Sequence, residues 1–385
     1  MTLKQKVALV TTSILQVKFF LEPLILELNK HYDVTLIVKN DHPEIKLNAE
    51  LKIIYAPIER KINLLQDLYG LFYLCFLFLK YRFMIVHSVN PKAGLLAMTA
   101  AYLTARPNRI HTFQGEVWSN KRGLYRFILK TVDKVTAFCS TGLTVISPTE
   151  RAYLIKEKIF SEPKSIVLAN GSICGIDTHK FQYSEHSRRV LRSNLGLNNN
   201  VVVFLYIGRL TADKGIIDLV DAYLLLIKHT KEKDPPFYLL FAGPDEEKMA
   251  DQIANAFHNK TTCYKILPYT ENPQEIIGAS DVLVLPSHRE GLGNVLLEAA
   301  AMGVPSIGSN IYGISDAIVD ESTGLLFNVR DTVDLFHKMK MLLTDSNLRY
   351  QLGVNAKSRI LKDFTQELVL RETVSFYKKT LLKSK

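Results

Sequence analysis

Glu290 and Glu298 lie eight positions apart in the run SHREGLGNVLLEAAAMGVP (287 to 305), directly after the apolar stretch DVLVLP (281 to 286). A strand that turns through glycine into a helix exposes unpaired backbone N–H groups and the positive end of a helix dipole, an arrangement suited to a phosphate. The two carboxylates then read either as an acid/base couple or as ligands for what the phosphate carries.

A second constellation is IGRLTADKG (207 to 215), again after an apolar run. Gly208 permits a tight turn, and Arg209 with Lys214 five residues on can bracket a diphosphate, the arginine as a planar fork and the lysine as a point charge. The bland alternative is an exposed basic turn. The segment is neither a P-loop nor a dinucleotide fingerprint, because the glycine spacing of both is absent.

Loops of this kind need a scaffold of strands and helices, and the chain supplies two series. VALVTT (7 to 12), VTLIVK (34 to 39), MIVHS (84 to 88), RIHTFQ (109 to 114), KVTAF (134 to 138) and LTVISP (143 to 148) read as strands between helical stretches. After NGSICGID (170 to 177) and the polar stretch 183 to 200, a second series follows: VVVFLYIG (201 to 208), FYLLFAG (237 to 243), YKILPY (264 to 269), DVLVLPS (281 to 287), PSIGS (305 to 309) and GLLF (324 to 327). Such alternation predicts parallel α/β layers with right-handed crossovers, twice over. The expected fold is two Rossmann-like doubly wound domains facing across a cleft: 1–180, a linker at 181–199, and 200–362. A final helical segment, 363–385, spaces Leu370, Val374, Tyr377 and Leu381 to pack back on the first domain.

At 385 residues, 47% hydrophobic and 22% charged, the chain has the composition of a globular two-domain protein. Cys75, Cys139, Cys174 and Cys263 are scattered and support neither a zinc knuckle nor a disulfide framework, so a reducing cytoplasm is the expected compartment. The first apolar run, Val7 to Val10, reads as a strand and not as a signal peptide. LFYLCFLFL (71 to 79) is too short for a hydrocarbon core that takes about 20 helical residues. The wider stretch 64 to 86 reads first as a buried or half-buried helix, then as a membrane-docking helix, and last as a span.

Charge is uneven. Residues 1 to 180 hold 24 Lys and Arg against 14 Asp and Glu, whereas 181 to 385 hold 24 of each, so the whole net charge of +10 sits in the first half, which should prefer an anionic surface. Arg122, Arg126, Lys130 and Lys134 recur every four residues after Trp118, with Leu124, Phe127, Ile128 and Leu129 beside them. A basic stripe next to apolar bulk reads as a membrane-surface helix; a solvated face of a core helix is the alternative. Nucleic acid is not expected as a partner, since neither a recognised module nor a stacking-aromatic pattern is present.

Taken together, SHREGLGNVLLEAAAMGVPSIGS resembles the Glu-x7-Glu signature of the retaining glycosyltransferases of family 4, and IGRLTADKG resembles that family's diphosphate loop. NGSICGID, LPYTENPQEIIGASDVLVLPS and IVDESTGLLF fit as well. The resemblance covers the second half of the chain and, more loosely, the first. It implies the GT-B fold, no metal and no cofactor, and a nucleotide sugar as co-substrate. It also implies that Glu298 binds the ribose hydroxyls, that Glu290 sits beside the transferred sugar, and that Arg209 and Lys214, with Gly208 and the amides of 291 to 295, meet the diphosphate. Pro268 in the LPY segment is carried over as a donor contact.

In the first domain many relatives place His-Gly or His-Asp where this chain has Gln114, and a histidine contact to the donor sugar is left to Gln114 or to His111, three positions earlier. Ser13 stands where relatives carry Gly-Gly, and its hydroxyl is a candidate donor contact. HSVNPKAG (87 to 94) resembles a subset of the family that builds capsules, O-antigens and related surface glycans on polyprenyl diphosphate. Lys92 and Glu116 are therefore candidate acceptor contacts, and Trp118 with the four basic residues after it a candidate membrane contact. The resulting expectation is a retaining, metal-independent hexosyl- or N-acetylhexosaminyltransferase. It would be peripheral on the inner face of the cytoplasmic membrane and would act from a UDP-linked donor on a lipid-linked glycan. The rivals are a nucleotide-sugar epimerase or hydrolase of the same fold and a non-catalytic membrane- or glycan-binding module.

Overall fold

A computed structural model describes residues 4–48, 50–60, 62–258 and 263–382. The chain divides into two compact units, one made of Met1–Gly175 with Gln366–Lys385, the other of Ile176–Thr365.

The first unit is built on a seven-stranded parallel sheet in the order β3-β2-β1-β4-β5-β6-β7. Its strands are β1 (Lys6–Thr11), β2 (Asp33–Val38), β3 (Lys52–Tyr55), β4 (Ile85–Val89), β5 (Asn108–Phe113), β6 (Gly142–Val145) and β7 (Ser165–Ile166). β1 and β4 are central and buried almost throughout; Val7–Val10 of β1 accordingly reads as a continuous apolar run, while β4 also buries His87 and Ser88. The helices Leu64–Tyr81, Pro91–Leu103 and Gly123–Cys139 follow β3, β4 and β5. Each crossover advances across the sheet in the same direction, so right-handed connections put all three on one face. The Pro91–Leu103 helix packs between the other two. The final helix, Gln366–Leu382, packs on Glu22–His31, and its buried Tyr377 hydroxyl lies 2.6 Å from His87 Nδ1 on β4.

Two expectations need correction. Residues 134 to 138 are not a strand but the last turns of the Gly123–Cys139 helix. Their β-branched content favours a strand locally, but Asp133, Thr136 and Ala137 continue the buried stripe of the helix, and burial outweighs propensity. Residues 181 to 199 are not a linker but hold the helix Glu185–Asn194, part of the second unit. Arg188 and Arg192 from that helix both grip Asp281, at 2.6 and 3.1 Å. Arg192, 1% exposed, also donates to the carbonyls of Ala279 and Asn198.

The second unit carries a six-stranded parallel sheet in the order β10-β9-β8-β11-β12-β13. These are β8 (Val202–Ile207), β9 (Phe237–Ala242), β10 (Tyr264–Leu267), β11 (Val282–Leu285), β12 (Ser306–Ser309) and β13 (Gly324–Phe327).

Candidate active site

In the second sheet β8 has β9 on one side and β11 on the other. The sheet is thus built outward in both directions from this pair, and the connections leaving β8 and β11 pass to opposite faces. A crevice at the carboxyl ends of two such strands is where open α/β sheets bind ligands. The two loops singled out in the sequence are the ones that leave β8 and β11.

They are locked together. The His288 N–H donates to the Asp213 carbonyl at 2.9 Å, Arg289 Nη2 donates to Asp213 Oδ2 at 3.3 Å, and His288 Nε2 lies 2.7 Å from Asp218 Oδ2. Gly215 adopts φ +67°, and a Cβ there would stand 2.0 Å from the Pro286 carbonyl oxygen, so only glycine lets the loops close. Across this seam Lys214 Nζ donates to Glu290 Oε1 at 2.5 Å, with both side chains 15% exposed. Ser287 Oγ donates to the same oxygen at 2.9 Å. The carboxylate expected beside a sugar and the cation expected at a diphosphate therefore touch.

The second cation is held too. Arg209 Nη1 meets Glu246 Oε2 at 2.8 Å, and the Tyr206 hydroxyl donates to the Arg209 carbonyl at 2.7 Å. Burial disfavours the Arg209 charge, but Glu246, with Asp213 and Glu290 further off, outweighs this and raises its pKa. Glu247 accepts from the Ala212 N–H at 2.8 Å. The 245–247 loop after β9 thus clasps the loop after β8 from outside. Sequence reading missed it, because Asp245-Glu246-Glu247-Lys248 has the composition of a solvated turn.

Gly293, at φ 69°, leads into the helix Asn294–Ala301. A Cβ on Gly313, in the loop after β12, would stand 2.4 Å from the Gly291 carbonyl, so a third loop braces the turn. Gly291, Leu292 and Gly293 are buried, while Asn294, Val295 and Glu298 are the residues of this helix that keep some exposure. At i, i+1 and i+4 they share one face. Desolvation pushes the Glu298 carboxyl up to about 7, against a lesser opposing pull from Lys180. Pro268 follows β10 at the sheet edge and is exposed.

In the first unit the corresponding crevice lies between β1 and β4. Asn90, at φ 73°, caps the Pro91–Leu103 helix by accepting from the Ala93 N–H. Its Nδ2 donates to Thr11, Thr12 and Gln16 side-chain oxygens at 2.9, 3.0 and 2.9 Å. Ser13 follows this cluster, half-buried, at the entry to the helical turn Ile14–Gln16. Asn90 was not singled out in the sequence, although Asn-Pro at a strand end is a helix-start signal. Gln114 is half-buried just past β5.

Several first-unit expectations fail on geometry. His111 is 1% exposed, hydrogen-bonded to Ser88 Oγ at 2.8 Å and set edge-on to Phe113. Burial holds its pKa down to about 3, so it is a neutral strand residue inside the sheet layer and not a catalytic contact. Glu116 is 1% exposed, below the surface expected of an acceptor contact. Lys92 is paired with Asp67 at 2.6 Å. Trp118 is 1% exposed: its Nε1 donates to Asp133 Oδ2 at 2.6 Å and its ring stacks on Tyr153. Arg126 and Lys130 lie over that ring and share Glu157, at 2.9 and 2.7 Å. Of the proposed membrane stripe only Arg122 and Lys134 are exposed.

Residues 21–172 match the family model Glycosyltransferase Family 4, and residues 187–359 match the model Glycosyl transferases group 1. The chain is 32% identical over 356 residues to the capsular polysaccharide biosynthesis glycosyltransferase CapM of Staphylococcus aureus, covering 92% of each. It is 29% identical over 341 residues to the UDP-Gal:alpha-D-GlcNAc-diphosphoundecaprenol alpha-1,3-galactosyltransferase of Escherichia coli, covering 87% of this chain and 86% of that one. Among solved structures, the sucrose-phosphate synthase of Thermosynechococcus elongatus superposes with a TM-score of 0.81 at 18% identity, over 99% of this chain and 100% of that chain. Anabaena HepE in complex with UDP and glucose gives 0.78 at 14% identity, over 97% and 99%. The two parallel-sheet units are those of a GT-B glycosyltransferase. The chain belongs to glycosyltransferase family 4.

Proposed function

We propose that this protein is a retaining, metal-independent transferase that moves a hexosyl or N-acetylhexosaminyl group from a UDP-linked donor to a polyprenyl-diphosphate-linked glycan. The pathway would be surface-polysaccharide synthesis, at the inner face of the cytoplasmic membrane. The observation that carries the reading is the seam between the loops after β8 and β11, where Lys214, Glu290 and the glycine-led helix start converge. The capsular and diphosphoundecaprenol relatives support the acceptor class.

As the sugar leaves, negative charge grows on the nucleoside diphosphate, so fixed cations and free amides placed there lower the barrier more than they aid ground-state binding. Arg209, Lys214 and the amides at Gly293–Val295 take that role. Glu290 stands beside the reacting sugar and offsets a developing oxocarbenium charge, and Glu298 accepts from the ribose hydroxyls. Donor binding exchanges partners: the diphosphate takes over Lys214 from Glu290 and Arg209 from Glu246, which turns Glu290 toward the sugar.

A thermal-shift panel of nucleotide sugars tests the donor, since a ligand that binds only the folded state raises stability as RT ln(1+[L]/Kd). The UDP sugars should stabilise the chain, and NMR of the product should show the donor's anomeric configuration kept. If no nucleotide sugar raises the melting temperature, the donor site is misplaced. A smaller expected effect concerns Glu246. Its pair with Arg209 is a third or more exposed on both sides and so is worth about 1 kcal/mol or less. Glu246→Gln should therefore tighten UDP binding by no more than about fivefold, read by calorimetry.

A further inference from the structure

The helix Leu64–Tyr81 is long and apolar enough to cross a membrane, yet only 22% of it is buried. It is fixed to the unit by one face: Leu74, Leu77 and Phe78 belong to the core, and a Cβ on Gly70 would stand 2.9 Å from the Pro57 carbonyl. Crossing a bilayer would strip that face from the core, so the helix lies along the surface. Its outer face carries Leu65, Leu68, Phe72, Phe76 and Leu79, between 51% and 82% exposed. On the far side of the Pro91–Leu103 helix, Gly123–Cys139 turns a second apolar face outward, with Leu124 and Phe127 exposed by 73% and 68%. Tyr102 and Phe138, with rings 5.8 Å apart, continue the apolar surface between them.

Charge selects the occupant. Residues 60 to 134 contain 12 Lys and Arg but only three acidic residues. Asp67 is paired with Lys92, and Glu116 and Asp133 are buried, so no carboxylate of this stretch is exposed. Arg60, Lys80, Arg82, Lys121, Arg122 and Lys134 are exposed. The first unit as a whole carries 28 basic against 15 acidic residues, a surplus of 13. Two such faces meeting across a dimer would bring like charges together, whereas an apolar face rimmed by cations matches the acyl chains and headgroups of an anionic bilayer. We propose that the 64–81 and 123–139 helices form a platform that docks this unit on an anionic lipid surface, the bilayer filling the exposed faces of both. The proposal deepens the membrane-side placement above, but it does not depend on the transfer reaction.

The full-length chain is sedimented with vesicles of phosphatidylcholine alone and with equal parts phosphatidylcholine and phosphatidylglycerol. The wild type should bind only the anionic vesicles. Phe72→Asp and Phe127→Asp, both on exposed faces, should each weaken binding about tenfold or more, and Arg122→Glu about fivefold, with the loss largest at low salt. Melting temperature and the donor-induced thermal shift should be unchanged in all three, which separates this proposal from the donor-site reading. Failure of the wild type to bind anionic vesicles overturns the proposal, as does wild-type binding by Phe72→Asp and Phe127→Asp. A concentration-dependent dimer that these two variants abolish, without vesicle binding by the wild type, would assign the face to a second copy instead.

Discussion

Lys214→Ala should lower kcat by about 10²- to 10³-fold, the range found when one preorganised donor to a developing anion is removed. The side chain is mostly buried and already aimed into the crevice by Glu290, so the wild type spends little reorganisation on it during the reaction. The same substitution leaves Glu290, among the described residues, with Ser287 as its remaining side-chain hydrogen-bond partner and should cost about 2 kcal/mol of stability. The double variant Lys214→Ala/Glu290→Gln separates the two effects: it should regain most of the lost melting temperature while turnover stays down. Steady-state kinetics and thermal melts on the single and double variants give the answer. A single variant that keeps more than a tenth of wild-type turnover would remove Lys214 from the leaving-group site.

Glu298→Gln should make the protein more stable and a poorer enzyme. The carboxyl has a pKa of about 7 in the folded chain because its charged form is desolvated, against about 4.3 when unfolded. For an acid with a raised folded pKa, the folded state holds its proton longer than the unfolded one, so stability is full below about pH 4 and is lost as pH rises through about 7. At pH 8 the wild type therefore carries a strain of up to about 4 kcal/mol that the amide lacks. Donor binding changes the other way. Loss of a charged acceptor for the ribose hydroxyls should weaken UDP binding about a hundredfold at pH 8. Wild-type affinity should fall about fivefold from pH 7 to pH 6, as the carboxyl protonates, while the glutamine variant stays flat. Melts at pH 5 and pH 8, with calorimetry against UDP, decide it; an amide variant that is no more stable at pH 8 would mean that the carboxyl is well solvated.

The second unit was more legible in the sequence than the first, and the reason is local. The β8 and β11 loops hold their candidate residues contiguously, so Arg209, Lys214, Glu290 and the turn at Gly293 could be singled out directly, and the parallel order of short apolar runs places the two loops at one sheet end. In the first unit, what decides a residue's role is a partner distant in sequence. Trp118 looks like an interfacial aromatic until Asp133 takes its N–H and Tyr153 covers its ring. Arg126 and Lys130 look free until Glu157 joins them. His111 looks available beside Gln114, but Gly94 lets the ring settle into the core: a Cβ there would stand 2.4 Å from the imidazole. The apolar 64–81 run was ambiguous because composition does not reveal which side of a helix a core covers.

The chain leaves the first unit after Gly175 and re-enters it at Gln366. At that crossing the Ile176 N–H donates to the Phe364 carbonyl at 2.8 Å, and Ile176 bridges Thr365. The second unit is thus a cassette inserted into the first, with its entry and exit pinned side by side. Exchanging residues 176–365 for the equivalent stretch of another family member would require no new loop to span a gap. A lineage can in this way replace one unit by recombination while keeping the other whole.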